Sequence, residues 1–258
     1  MSTKTVFETL AAEINALRGS PVVAIDGVDG SGKTTFTKSL AAQLNERPAI
    51  VIHVDDFLNP PEIRHRRGRL SPEGFWLDSY DYDALERHVL APLRPGGNRE
   101  YRPRRDSDAY LHAADGAVVL VEGLFLHRDE FASRWDYSIF LDVPFEITAE
   151  RMNLRDGTNA DPEHPSMNRY VGGQRLYFAA AEPGPARTVS STIQTRNCLE
   201  SRHMPPTRVG SPHRRPRVSS VRCGCELEGC GIHDLSGRDV DFAVEPGRHQ
   251  FGQAAHEQ

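Results

Sequence analysis

The 258-residue chain predicts an α/β fold, a parallel sheet covered by helices on both faces, followed by an irregular C-terminal tail. Short apolar runs rich in β-branched residues alternate with stretches of helical period. The runs are apolar throughout rather than alternating, which marks strands buried on both sides. Acidic residues close the second and third runs, and ligands of such sheets bind at the carboxyl ends of the strands.

Each element has its own signal. "TVFETLAAEINAL" (5–17) places Val6, Leu10, Ile14 and Leu17 at helical spacing, and "RGSP" stops it before a first strand, "PVVAIDG" (21–27). "KTTFTKSLAAQL" (33–44) is helical again, and "AIVIHVDDF" (49–57) is a second buried strand. Residues 58–82 are rich in Pro and Arg and predict irregular chain, after which "DYDALERHVLAPL" (81–93) resumes the helical pattern. "AVVLVEGLFL" (117–126) and "WDYSIFLDVP" (135–144) are a third and fourth strand. "FEITAERMNLRDG" and "SMNRYVGGQRLYFAAAEPG" are two further helices. No core-forming period follows Pro185, so residues 1–186 form one domain and 187–258 an irregular tail.

Composition narrows the function. Lys and Arg number 31 against 36 Asp and Glu, a net charge of −5, so no whole-chain basic field points to nucleic acid or a membrane. No run reaches the roughly 18–20 apolar residues of a membrane helix, and the N-terminus has no apolar signal core, so a cytoplasmic protein is expected. All four cysteines (Cys198, Cys223, Cys225, Cys230) lie beyond residue 187. The domain itself is poor in lysine, with Lys4, Lys33 and Lys38 as its members.

Lys33 stands in "GVDGSGKTT" (27–35), which meets G-x-x-x-x-G-K-[ST] directly after a predicted strand and at the opening of a predicted helix. Glycines at 27, 30 and 32 let backbone N–H groups turn onto phosphate oxygens, with Asp29, Ser31 and Thr35 in the same cradle. Lys33 neutralises β/γ-phosphate charge, the Thr34 hydroxyl suits Mg²⁺, and the helix N-terminus favours an anion. The cradle predicts ATP with Mg²⁺ and leaves the phosphate acceptor open. Glu122 in "VVLVEG" is placed to support the metal. Asp55 and Asp56 end the second strand, expected beside the first, where a carboxylate takes a proton from an attacking hydroxyl and helps hold Mg²⁺, or starts a loop.

"GVDGSGKTT", "VDDFLNP", "GFWLDSYDYDAL", "VVLVEGLFL" and "ERMNLRD", in this order, resemble the uridine kinase-like group of P-loop nucleoside kinases, related to bacterial pantothenate kinase and phosphoribulokinase. The resemblance covers about residues 5–186 and implies a three-layer P-loop kinase fold. It implies that Asp55, the first acid of D-x-F, is the catalytic base. It implies that Asp78, with Asp81 second, binds sugar hydroxyls, and that Tyr101 and Arg102 sit in a hairpin over the base. The family's Y-D-x-x-x-H is not met there, since Arg102 replaces the acid and Asp106 the histidine. Arg151 and Arg155, one helical turn apart, resemble lid arginines that stabilise the transferring phosphoryl group. Arg64, Arg66, Arg67 and Arg69 in "IRHRRGRL" either grip an anionic substrate or form a solvated loop, and the plainer reading is the loop. The expected partner is a nucleoside-like small molecule, most simply uridine or cytidine phosphorylated on its 5′-OH. Pantothenate, another small alcohol or a sugar phosphate is the alternative acceptor, and an ATP-binding remnant without transfer the alternative class.

The resembled family ends on a strand like A-D-V-V-I-D-N-x-D-P, whereas this chain reads "ARTVSSTIQTRN". Joining the third base of each codon to the first two of the next, from Ala186 onward, permits A-D-x-V-[VI]-D-N-T-D-P. A one-base frameshift near codon 187 then accounts for the tail. On this reading "CGCELEGCGIH", with Cys223, Cys225, Cys230 and His233, is no zinc site, and C-x-C is in any case tighter than the usual C-x₂₋₄-C pair. "TVSSTIQT" is β-prone and could stand in for the lost strand. The bases around codon 187 provide the check: the displaced frame is expected to encode that ending, and any other sequence there discards the frameshift.

Overall fold

The computed structural model describes residues 6–131, 133–181 and 217–222. Five parallel strands form the sheet in the order β2-β5-β1-β6-β7. They are β1 (Val22–Gly27), β2 (Ala49–His53), β5 (Val118–Gly123), β6 (Tyr137–Asp142) and β7 (Arg217–Arg222); a separate antiparallel pair consists of β3 (Glu100–Tyr101) and β4 (Leu111–His112). Every residue of β1 and β5 is buried, as their unbroken apolar runs require.

Alternation along these strands feeds two cores. Val23, Ile25, Val118, Leu120 and Ile139 face α1 (Val6–Asn15) and α2 (Lys33–Ala41), where they meet Leu10, Ile14, Phe36 and Leu40. Val22, Ala24, Val119 and Val121 face the opposite layer and pack with Phe75, Leu85, Leu90 and Tyr177. That layer is built from α4 (Pro72–Asp78), the helical stretch over 82–93 and α8 (Asn168–Ala181), with α7 (Phe145–Asp156) beside it.

Two features depart from the sequence expectation. The stretch 58–82 contains α3 (Pro61–Arg64) and α4 rather than irregular chain alone. Both begin with Pro at the first helical position, and Ser71 caps α4 by accepting the Gly74 N–H at 3.0 Å. The Ser-Pro-Glu start was a legible helix signal, masked by the surrounding arginines. The tail is also not irregular throughout: β7 lies within it and pairs in parallel with β6, from Tyr137 opposite Arg217 to Asp142 opposite Arg222. The exposed backbone of β6 needs a partner, and "RVSSVR" has the valine content of a strand. The 186/187 boundary, "TVSSTIQT" and the tail cysteines lie outside the described residues.

One helix distortion positions the β3–β4 hairpin. α5 (Tyr82–Leu85) runs through a π turn at Glu86–Leu90 into α6 (Ala91–Leu93). Pro92 has no N–H to give to the His88 carbonyl four residues back, and that carbonyl accepts the Arg102 N–H at 2.9 Å instead. Among the described residues no helix is long and apolar enough to cross a membrane.

Leu120 is fully buried at the centre of the sheet. Leu120→Ala is expected to cost about 2–5 kcal/mol of unfolding free energy, measured by denaturant titration.

Candidate active site

Parallel register brings the ends of three strands to one level: Ile25 and His53 both lie opposite Glu122, and Asp26 lies opposite Gly123. The glycine loop leaves β1 at this level and enters α2 at Lys33. Gly30 and Gly32 have φ of 77° and 89°, a region that glycine enters without strain. A Cβ on Gly30 would lie 2.8 Å from the Thr148 carbonyl oxygen, so a side chain there would push α7 off the loop. Lys33 arches back over the loop, its Nζ donating to the carbonyls of Gly27 (3.0 Å) and Val28 (2.9 Å). The Thr34 hydroxyl donates to Glu122 Oε1 at 3.0 Å, and Ser31 is buried within the loop while Thr35 is exposed.

Both arginines of α7 reach this loop. Arg151 Nη1 donates to the Gly30 carbonyl at 3.4 Å, and Arg155 contacts Asp29 at 3.5 Å as well as its neighbour Asp156. From the other side Gln174 of α8 accepts the Asp29 N–H at 2.7 Å.

Beneath the loop lies a buried carboxylate that the sequence did not single out. Asp26 Oδ1 accepts the Gly27 N–H at 2.7 Å. Its Oδ2 takes the N–H groups of Leu126 (2.9 Å) and His127 (3.1 Å), the His127 ring nitrogen Nδ1 (2.8 Å) and the Tyr177 hydroxyl. Burial alone would push Asp26 up, but the hydrogen bond and charge of His127, the Tyr177 hydroxyl and the Gly27 N–H outweigh it and hold the carboxyl below its usual range.

Asp55 stands on the 3-10 turn Val54–Phe57 that follows β2. Tyr80, buried in the aromatic layer, donates its hydroxyl to Asp55 Oδ1 at 2.9 Å. The two segments are stitched together by their backbones, with Asn59 N–H donating to Ser79 and Asp81 N–H to Phe57. Partial desolvation in the cleft raises the Asp55 pKa, as do the like charges of Glu122 and Asp29; the Tyr80 hydrogen bond and Lys33 oppose them without cancelling the rise. Asp55 borders a cleft of about 190 Å³ with Asp56, Leu58, Arg104, Arg105 and Asp106. His53 is raised chiefly by its hydrogen bond to Glu122.

The other predicted acceptor residues do not converge there. Asp78 is 1 % exposed and both its oxygens carry guanidinium groups: Arg66 on Oδ1 and Arg67 Nε on Oδ2 at 2.8 Å. It therefore has no oxygen open to a diol, and two of the loop arginines are ion-paired rather than merely solvated. Asp81 caps α5 by accepting the Ala84 N–H at 2.9 Å and pairs with Arg105 at 3.2 Å, the structural alternative for that residue. Tyr101 is a core residue, buried in β3. Arg102 stacks over Tyr110 with 4.6 Å between Cζ and the ring centroid. Arg104 and Arg105, missed in sequence, are the hairpin residues that reach the cleft, with Arg104 near Asp56 (3.7 Å) and Asp106 (3.4 Å). Tyr80, His53 and Gln174 were missed as well; Gln174, a polar residue on the buried face of a helix, carried the one available signal.

No protein-family model matches the chain. A thymidylate kinase of Xanthomonas campestris pv. campestris is 28% identical over 199 residues, covering 72% of this chain and 82% of that protein. A uridine kinase of Deinococcus deserti is 27% identical over 142 residues, covering 52% and 68%. Among solved structures, a possible uridine kinase from Bacillus stearothermophilus aligns with a TM-score of 0.52 at 23% identity, over 69% of this chain and 92% of that one. A putative fructose transport system kinase from a Silicibacter species gives 0.52 at 24%, over 69% and 96%. The solved structures share the fold, and the curated relatives are kinases that differ in what receives the phosphate.

Asp26 ties the loop to the layers beneath it, so its loss should register as stability. Asp26→Asn is expected to cost about 2–3 kcal/mol at pH 7. Because the folded pKa lies below the ordinary 3.8, the carboxylate's contribution is full above that value and fades as pH falls through the folded one. The gap between wild type and variant in urea titrations should therefore narrow only in strong acid.

Proposed function

We propose that this uridine kinase-like P-loop kinase passes the γ-phosphate of ATP to a hydroxyl of a small molecule, with a uridine- or cytidine-like 5′-OH as the first candidate. The observation that carries the reading is Asp55: a carboxylate with a raised pKa, one oxygen fixed by Tyr80, at the edge of a cleft and within the electrostatic reach of Lys33. A hydroxyl must lose its proton as it attacks, so a base is required.

The donors at the loop suit a hard cation, because the Thr34 hydroxyl and the Glu122 carboxylate, both oxygen donors, are 3.0 Å apart. Mg²⁺ held there would neutralise phosphate charge. The remaining work falls to the chain. Gly27 to Thr35 cradle the triphosphate, and Lys33 turns its ammonium from the loop carbonyls to the phosphates. Asp55 Oδ2 accepts the acceptor's proton while Tyr80 keeps Oδ1 in place. Arg151 and Arg155, already against the loop, balance charge on the moving phosphoryl group and help exclude water.

A second reading has its own support. Arg104 and Arg105 border the same cleft, and the relatives of wider coverage are named for thymidylate, a nucleotide whose acceptor oxygen is already ionised. Such an acceptor needs cations rather than a base.

Assay of uridine, cytidine, pantothenate, fructose and thymidylate with ATP and Mg²⁺ separates these readings. Under the first, an alcohol is phosphorylated and Asp55→Asn lowers kcat by about 10²–10⁴ while ATP affinity is kept. Asp55 must be ionised to act, so the acid limb of kcat/KM should lie above the usual aspartate range. Thymidylate phosphorylation that survives Asp55→Asn would establish the second reading instead.

A further inference from the structure

Arg64, Arg69 and Arg169, with the imidazole of His65, form a group of nitrogen-bearing side chains for which the candidate chemistry has no use. Arg169, at the start of α8, is 7 % exposed, and its guanidinium reaches only neutral partners: the Ser71 carbonyl at 3.4 Å, the Arg64 carbonyl at 3.3 Å and the Phe75 ring at 5.5 Å. Arg64 and His65, both half-buried, end α3, and each has a buried nitrogen without a hydrogen-bond partner, Nε of Arg64 and Nδ1 of His65. Such orphaned groups cost free energy unless something completes them.

Their neighbours do not supply the missing acceptor. Asp78 spends both oxygens on Arg66 and Arg67. Glu62 and Glu73 lie on the flanking helices, and among the described residues neither pairs with the four. Burial comes first, then the charges of Arg169, Arg64 and Arg69, in holding the His65 imidazole below its usual range. Burial together with Arg64 and Arg69 likewise lowers Arg169, against the smaller upward pull of Tyr170 and Asp78.

We infer that Arg64, His65, Arg69 and Arg169 form a subsite for an oxyanion, a phosphate or carboxylate group, on the acceptor side of the candidate active site. The placement follows from α4. Its last residue, Asp78, carries the arginine pair next to the cluster, and Tyr80, two residues on, holds Asp55. A guanidinium fork with an open N–H suits the planar geometry of phosphate or carboxylate oxygens. The subsite itself does not depend on the transfer reading; a role for the acceptor as carrier of the anion does.

Inorganic phosphate is the probe, titrated at constant ionic strength into the protein saturated with MgADP so that the glycine loop is occupied, and followed by calorimetry. Saturable binding is expected in the wild type and at least tenfold weaker binding in Arg64→Gln/Arg69→Gln. Neither residue belongs to the glycine loop, so MgADP affinity should be unchanged, and the melting temperature of each protein without phosphate checks that the variant is folded. Equal phosphate affinity in the two proteins, or no saturable binding in either, overturns the subsite. Paired acceptors identify the source of the anion: pantothenate against panthenol, and ribose 5-phosphate against ribose. A preference for the charged member that disappears in the double variant makes the acceptor its carrier; phosphate binding without such a preference assigns the subsite to a separate anion. If no alcohol at all is phosphorylated, the transfer reading fails while the calorimetric comparison still decides the subsite.

Discussion

The candidate site rests on one buried carboxylate. Asp26 ends the central strand β1 and gathers hydrogen bonds from the glycine loop, from the turn after β5 and from Tyr177 of α8. A charge without access to water is tolerated only when its oxygens are satisfied, so these segments are held to one arrangement. The loop above it then has little freedom: glycine conformations at 30 and 32 set its path, α7 closes on Gly30, and Gln174 holds the Asp29 N–H.

Desolvation first, and then the charges of Glu122 and Asp29, raise the Asp55 pKa, while the Tyr80 hydrogen bond and Lys33 pull it down. A glycine loop flanked by acids would suit a ligand that brings cations with it, as MgATP does. On the acceptor side the balance reverses, and guanidinium groups outnumber carboxylates around Asp78.

The glycine loop, Asp55, Glu122 and the spacing of Arg151 and Arg155 were all legible, because each depends on contiguous sequence or on a strand end that a parallel sheet aligns. Asp78 and Tyr101 were legible only as residue types. Nothing local shows that Arg66 and Arg67 would reach across to Asp78 or that the hairpin would turn Tyr101 into the core. Tyr80 was hidden in the same way: its role comes from a backbone pairing between the Asp55 turn and the segment after α4. The β7 strand was not legible as a sheet member, since its pairing reflects the open edge of β6 more than any strong signal of its own.

By itself, then, the sequence determined the layers, the phosphate loop and the residues at the strand ends. Periodicity and glycine chemistry act over a few residues and survive without knowledge of distant partners. Tertiary structure alone decided which charges are spent and which stay available. That outcome depends on side chains far apart in the chain competing for the same carboxylates, as Asp78 with its two arginines and Arg169 with none both show.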